Sequence, residues 1–477
     1  MGKVKHLIGD VQFRQNSTLL NCDSAYQYEE TNKVEAFGRV YINHQDSIRL
    51  YGEKLTYDGN TRKAKLERNA RMTDNSMTLT TDVLDFDLQL NTGNYTTGGT
   101  IISGQDKLTS QNGYYFSETK ETYFKKNVKL VNPEYTINTD TLRYNTVTKT
   151  AYFFGPTTLF SNADKMYCEK GQYDTRRQLA MFSKNAVLVS GKNMMAADSI
   201  YYEKQNDYGR AFMNVELFDT SSKITVYGDL AEMAGKIKQS IVTRNAVTKQ
   251  YIEDDSMYLF ADTIWSFNSM PGQKPMLKAF HHAVIIKSDL QAVADSLVYL
   301  REDSTVTLYT DPLMWSGVNQ ISSDTIRFFL NNNKLDSFIL SGNAFMISRE
   351  GAKQFNQVKG KVMHGQFIKS KIRYLHVFGN GQSIYYAKED SGYLGVNVIN
   401  CSEMEFFLKN NRIERSNFIT DPDAVFHPLE QLKPEELRLK GFKWQKQRRP
   451  RENAVNKRFS GKKSNLKKTF TNTLFSQ

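Results

Sequence analysis

The chain has 477 residues, 39% of them apolar by type, with 26 Tyr and 29 Phe but only 9 Pro. It contains no run of 18 apolar residues, which excludes a membrane-spanning helix on sequence grounds. The net charge of +12 is concentrated at one end: Lys433–Gln477 hold fourteen Lys/Arg against three Glu, leaving about +1 for the rest, which excludes a basic nucleic-acid-binding face.

The N-terminus, "MGKVKHLIGDVQF", contains no apolar segment followed by a small-residue cleavage site, so no export signal is visible. The chain enters directly into a repeat. An acid, a hydroxyl residue, an apolar residue and an aromatic follow one another in "TDTLRYN" (139–145), "ADSIYYE" (197–203), "ADTIWSF" (261–267), "ADSLVYL" (294–300) and "SDTIRFF" (323–329). In chain order the marker positions are Asp23, Glu53, Asp82, Gln111, Asp140, Glu169, Asp198, Asp229, Asp262, Asp295 and Asp324, spaced 29 to 33 residues apart. A fixed period over eleven units predicts a stacked repeat architecture. Looser units follow at 379–390 and 401–411.

Within a unit the apolar residues alternate with period two, which predicts short strands with one buried face. The unit ending at Asp82 gives Ala64 and Leu66, Ala70 and Met72, Met77 and Leu79, then Leu84 and Phe86. The unit ending at Asp140 gives Phe124, Val128 and Leu130, Tyr135 and Ile137, then Leu142 and Tyr144. The buried parity changes across the marker, from Leu79 and Thr81 to Leu84 and Phe86. A one-residue slip exchanges the faces of a strand, so the marker predicts a bulge or corner. Acids in every unit suit a structural corner better than a catalytic or calcium-binding row, and the Gly-Gly-x-Gly-x-Asp calcium repeat is absent.

A second phrase opens the other strand: "FGRV" (37–40), "RNAR" (68–71), "KNVK" (126–129), "KNAV" (184–187), "MNVE" (213–216), "RNAV" (244–247) and "GNAF" (342–345). Its Asn or Gly predicts a backbone position with positive φ. His281-His282 fills the same slot in "HHAV", with no third metal ligand in sight. The three cysteines, Cys22, Cys168 and Cys401, show no metal-ligand spacing.

The alternation of "xADSIxY" with "xxGNAxxx" phrases over residues 4–420 resembles the OstA-like family of Gram-negative envelope proteins. That family includes the lipopolysaccharide-transport protein A and the N-terminal periplasmic domain of the outer-membrane lipopolysaccharide-assembly protein. The chain is also similar to the long OstA-like proteins of Bacteroidetes-type bacteria, down to "ELRLKGFKW" at 436–444. The resemblance implies an all-β, elongated repeat β-jellyroll (β-taco) of stacked units of about 29 residues, two sheets forming a V-shaped apolar groove.

On this reading residues 4–220 are the first half of the repeats and 221–420 continue them with longer loops. Residues 421–477 form a C-terminal segment, basic and disordered from about 443. The resemblance implies a periplasmic, outer-membrane-associated carrier of lipopolysaccharide with no enzymatic activity and no cofactor. Its expected partners are the lipid A acyl chains, other Lpt-type β-jellyroll proteins pairing with the edge strands at the array ends, and the outer-membrane assembly protein. The residues expected to line the groove are Leu66, Met72, Leu84, Phe86, Phe124, Leu130, Leu142, Tyr144, Phe153, Leu159, Phe182, Leu188, Ile200 and Tyr202. A sealed core would show the same alternation, so a structural β-solenoid scaffold or adhesin stalk stays open, as does a carbohydrate-active β-helix enzyme. Trp444 and its basic neighbours are a candidate contact for anionic headgroups.

Overall fold

The computed structural model describes residues 4–161, 164–252, 255–268, 272, 274–332, 334–389, 392–431, 437–451 and 455. The chain divides into two compact units after Ala211. Among the described residues there are 32 strands and three short 3-10 turns, with Val455 alone in helical conformation, as the period-two pattern predicts. The first unit contains β1 (Val4–Gln15), β2 (Thr18–Tyr28), β3 (Lys33–His44), β4 (Ile48–Asp58), β5 (Lys63–Thr73), β6 (Thr78–Asp87), β7 (Thr92–Tyr95), β8 (Gly99–Ser103), β9 (Asp106–Ser110), β10 (Asn112–Phe116), β11 (Glu121–Asn132), β12 (Tyr135–Asn145), β13 (Thr150–Ser161), β14 (Asp164–Asp174), β15 (Leu179–Ser190) and β16 (Asn193–Glu203).

β17 (Tyr208–Asp219) spans the division. The second unit contains β18 (Ile224–Ala234), β19 (Gln239–Ile252), β20 (Asp255–Phe267), β21 (Met276–Ile286), β22 (Gln291–Leu300), β23 (Thr305–Tyr309), β24 (Leu313–Ser316), β25 (Asn319–Ser322), β26 (Thr325–Asn331), β27 (Lys334–Arg349), β28 (Phe355–Ile368), β29 (Lys371–Glu389), β30 (Gly392–Lys409), β31 (Arg412–Phe418) and β32 (Asp423–Pro428).

Strands adjacent in sequence pair antiparallel, as in β1–β2, β2–β3, β3–β4 and β4–β5. In places one long strand becomes two, in the second unit even at the regular marker Asp324. β6 pairs with β7 along one half and with β8 along the other, and β11 pairs with both β10 and β9. These breaks of the first unit fall beside Gly98 and at Gln111, the one marker that is not an acid.

Each long strand bends at its middle, and the register shows why. Between β5 and β6, Glu67 opposes Val83 and Ala70 opposes Thr81, so Arg68 and Asn69 together face Asp82 alone. Lys126-Asn127 face Asp140, and Lys184-Asn185 face Asp198, in the same way. The extra residue therefore sits on the Asn strand rather than at the acid where the sequence placed the bend. Two consecutive left-handed residues make it: φ is 64° and 54° at Arg68 and Asn69, and 58° and 56° at Lys184 and Asn185. One residue against two reverses parity on the marker strand only, which is the slip visible between Thr81 and Leu84.

The marker acid has a second task. It accepts a hydrogen bond from the left-handed residue of the following strand: Asn69 to Glu53 at 2.7 Å, Asn185 to Glu169 at 2.7 Å, Asn245 to Asp229 at 2.6 Å and Asn343 to Asp324 at 3.1 Å. Arg39 serves Asp23 at 2.8 Å and His282 serves Asp262 at 2.9 Å. The recurring acids thus pin each bulge to its neighbour, and the paired histidines fill two bulge positions. Replacing Asn185 with Val should cost about 1–2 kcal/mol, because a β-branched residue resists the left-handed region. Asn185→Gly should stay within about 0.5 kcal/mol, because glycine accepts that φ freely. Urea unfolding of the two variants makes the comparison.

Candidate functional site

The residues expected to line a groove are brought together in the first unit. All fourteen point inward and are buried, Tyr202 being the most exposed at 8%. The strand register sorts them into three rows that run across the strands.

The first row passes through Phe13, Leu20, Ile42, Leu50, Met72, Leu79, Ile101, Leu108, Leu130, Ile137, Leu159, Met166, Leu188 and Met195, each opposite the next. No polar side chain interrupts it. The predicted residues Met72, Leu130, Leu159 and Leu188 belong here.

The second row lies on the other side of the bulges. It joins Leu55, Leu66 and Leu84, and further on Phe124, Leu142, Phe153, Gly171, Phe182 and Ile200. Gly171 is required here: a Cβ on it would lie 2.7 Å from the Met181 carbonyl and 2.8 Å from the Phe182 ring.

The third row alternates large with small: Tyr57, Ala64, Phe86, Gly93, Tyr115, Thr122, Tyr144, Ala151, Tyr173, Ala180 and Tyr202. Strands lie about 4.8 Å apart, too close for bulky aromatic side chains at every level, so alternate strands carry small residues beneath the neighbouring rings. Phe86, Tyr144 and Tyr202 were found by alternation along their strands. Alternation also gives Ala64, whereas Gly93, Ala151 and Ala180 stay hidden, because their pairing crosses strands and is invisible until the register is known.

Two hydroxyls of the third row reach carboxylates. Tyr144 donates to Asp106 at 2.9 Å, and Tyr115 donates to Asp74. Asp74 also accepts from the Ser76 and Met77 amides at 2.7 and 2.8 Å and from the Ser76 hydroxyl at 2.8 Å. Burial raises the carboxyl pKa of Asp74, but the bonds from Tyr115, Ser76 and Met77 outweigh it, and the net shift is downward. A depressed folded pKa gives stability that is complete above the unfolded value of about 3.9 and is lost as pH falls through the folded value. Wild type should therefore exceed Asp74→Asn in stability most clearly above about pH 4, with the gap shrinking in acid. Denaturant unfolding of both proteins between pH 2 and 6 measures it.

The outer face of the first unit is of another character. An open groove of about 860 Å³ is lined by Arg39, Tyr41, Tyr51, Arg71, Thr80, Asp82 and Thr100 among others. The Arg71 guanidinium lies 4.1 Å from the Tyr51 ring centroid. This groove is lined mainly by polar and charged side chains, while Ile102, Phe154 and Met181 are exposed elsewhere on the unit. In the second unit, Leu259, Leu277, Leu297, Phe328 and Leu335 line an apolar cavity of about 60 Å³, with the buried Lys287 at its margin. Lys287 is paired with Asp289 at 2.8 Å.

Among the described residues, no group of three or more His, Cys, Asp or Glu is placed to hold a metal ion. All three cysteines are buried free thiols. No helix among the described residues is long and apolar enough to cross a membrane.

The C-terminal segment corrects an expectation. Residues 443–449 do not form a solvated extension. Trp444 packs on Phe355 with ring centroids 5.3 Å apart, Arg448 pairs with Asp311 at 2.6 Å, and Arg449 donates to Gln291 at 2.9 Å. Composition showed the charge but not the apolar residues between the charges, so Trp444 faces protein rather than headgroups. Residues 452–454 and 456–477 lie outside the described residues.

A family model described as OstA-like protein matches residues 2–140 and 136–198. No curated protein matches the chain at a significant level. The matched residues span the three interior rows of the first unit, and the same bulge-and-acid repeat continues to Asn343. Over residues 2–198 the chain is similar to the OstA-like family.

Proposed function

We propose that the chain is a non-enzymatic lipid-binding bridge of the periplasm that carries lipopolysaccharide toward the outer membrane, its acyl chains lying along the interior stripe. The observation that carries this reading is the first row, apolar from Phe13 to Met195 without a break. Each methylene moved from water to such a surface gains about 0.8 kcal/mol, and identical rungs let a chain shift from one level to the next at little change in energy. Because the rows are buried against one another, taking up an acyl chain requires their side chains to part.

The marker acids support a non-catalytic role, since those named above are engaged in holding bulges. The edge at β1 supports a partner of like architecture. β1 pairs only with β2 among the described residues, and it exposes Val4 at 52% and Ile8 at 75%. An unpaired edge strand invites another strand, here one from an Lpt-type jellyroll neighbour or the outer-membrane assembly protein. Equilibrium binding of lipopolysaccharide bearing a fluorescent acyl chain tests the reading. Saturable binding, competed by lipid A and not by the delipidated sugars, is expected. Absence of saturable binding would reject it.

A further inference from the structure

The second unit buries a row of side chains on the outer face of its strands. Met346 and Val358 face inward as a pair, so their neighbours Ile347 and Gln357 face outward. The outward row reads Gln291, Trp315, Gln320, Ile347, Gln357 and Ile384, each opposite the next, on β22, β24, β25, β27, β28 and β29. Glutamine alternates with an apolar residue, and none of the six is more than 3% exposed.

The C-terminal segment covers this row. The Gln357 carboxamide donates to the Leu437 carbonyl and accepts from the Leu439 amide, both at 2.9 Å. Six residues on, the Gln320 carboxamide donates to the Lys443 carbonyl and accepts from the Gln445 amide, both at 2.7 Å. Gln291 then accepts two bonds from Arg449, at 2.9 and 2.7 Å. Between these holds, Leu437 packs on Ile384, while Phe442 and Trp444 pack against the cluster of Phe345, Ile347 and Phe355. Lys440, Lys443 and Lys446 remain exposed on the outward side.

We propose that this outer face is a peptide-binding site, and that residues 437–449 occupy it in cis as a strap. A carboxamide that donates to one carbonyl and accepts the amide two residues later reads extended backbone, as a neighbouring strand would. The glutamines recur every second position of the row, a step of about 9.6 Å, and hold the strap every sixth residue. The apolar residues between them select large side chains. The ligand class is therefore a segment whose short extended pieces, at 437–439 and 443–445, are joined by a turn at 440–441, with Leu or aromatic anchors and outward-facing cations, which is the composition of the strap itself. This inference does not depend on lipid carriage.

Amide hydrogen exchange on the full chain tests it. Leu439 and Gln445 should exchange at least 100-fold slower than an unstructured amide. Gln357→Leu should speed Leu439 at least tenfold and Gln320→Leu should do so for Gln445, with the inner amides of β27 unchanged. Unprotected Leu439 and Gln445 in the unaltered chain, or rates indifferent to both substitutions, would overturn the proposal. As a second measurement, a fluorescent peptide of residues 437–451 is added to the full chain carrying Leu439→Asp and Trp444→Asp, which free the site. It should bind at least tenfold more tightly there than to the unaltered chain. Equal affinity would place the peptide elsewhere and overturn the assignment.

Discussion

Replacing Phe153 with Ala is expected to lower the stability of the first unit by about 3–5 kcal/mol, while Phe154→Ala, one residue later, changes it by no more than about 0.5 kcal/mol. Phe153 is fully buried, opposite Leu142 and Gly171, with the Phe182 ring centroid 6.3 Å away. Removing its ring leaves a cavity that strands fixed on both sides cannot close. Phe154 is 42% exposed on the outer face. The two residues share type and strand and differ only in parity, so urea unfolding of the pair isolates the inward stripe. Similar losses for both would mean that the faces are assigned wrongly. In a stacked array each strand depends on its neighbours, so the loss should also speed amide exchange in β12 and β14 before it reaches distant strands.

The second large effect belongs to the second unit. A Cβ at Gly365 would lie 2.0 Å from the tip of the Phe338 ring, which packs with Phe328 and Phe367 at centroid distances of 6.4 and 5.1 Å. All three rings are buried, so none can swing into water. Gly365→Ala should therefore cost about 3 kcal/mol, the upper part of the range for overpacking. Adding Phe338→Leu should restore part of that loss, because the shorter side chain vacates the contested volume. A double-mutant cycle by denaturant unfolding should give a favourable coupling of about 1–3 kcal/mol. Additive losses would show that the glycine is tolerated for some other reason.

The repeat was legible in the sequence because each 29-residue unit spells its inward positions twice. Alternation within the unit gave Leu66 and Leu84, Phe124 and Leu142, Phe153 and Phe182, and the register then showed each pair in one row. The bend was legible as a parity change at the acid. Its mechanism was not, because the extra residue sits on the other strand and depends on two left-handed residues side by side. The acid-to-amide bonds were likewise out of reach, since they join the marker to a residue sixteen positions later. The large-small alternation of Phe86, Gly93, Tyr115, Thr122 and Tyr144 exists only across strands. The strap failed for a different reason. A basic, low-periodicity segment reads as solvated, and only the unusual run of buried glutamines beneath it, Gln291, Gln320 and Gln357, signals a covered face.

In the proposed function, acyl chains lie along the interior stripe. Site-specific photo-crosslinking tests it most directly: a photoreactive residue is placed in turn at Phe86, Leu130, Tyr144 and Phe153, and at the outward positions Tyr114 and Phe154, and each protein is irradiated with labelled lipopolysaccharide. Crosslinks are expected at the four interior positions, competed by lipid A, and none at the two outward ones, which are 38% and 42% exposed. Crosslinks confined to the outward positions, or absent from all four interior ones in a folded protein, would contradict it.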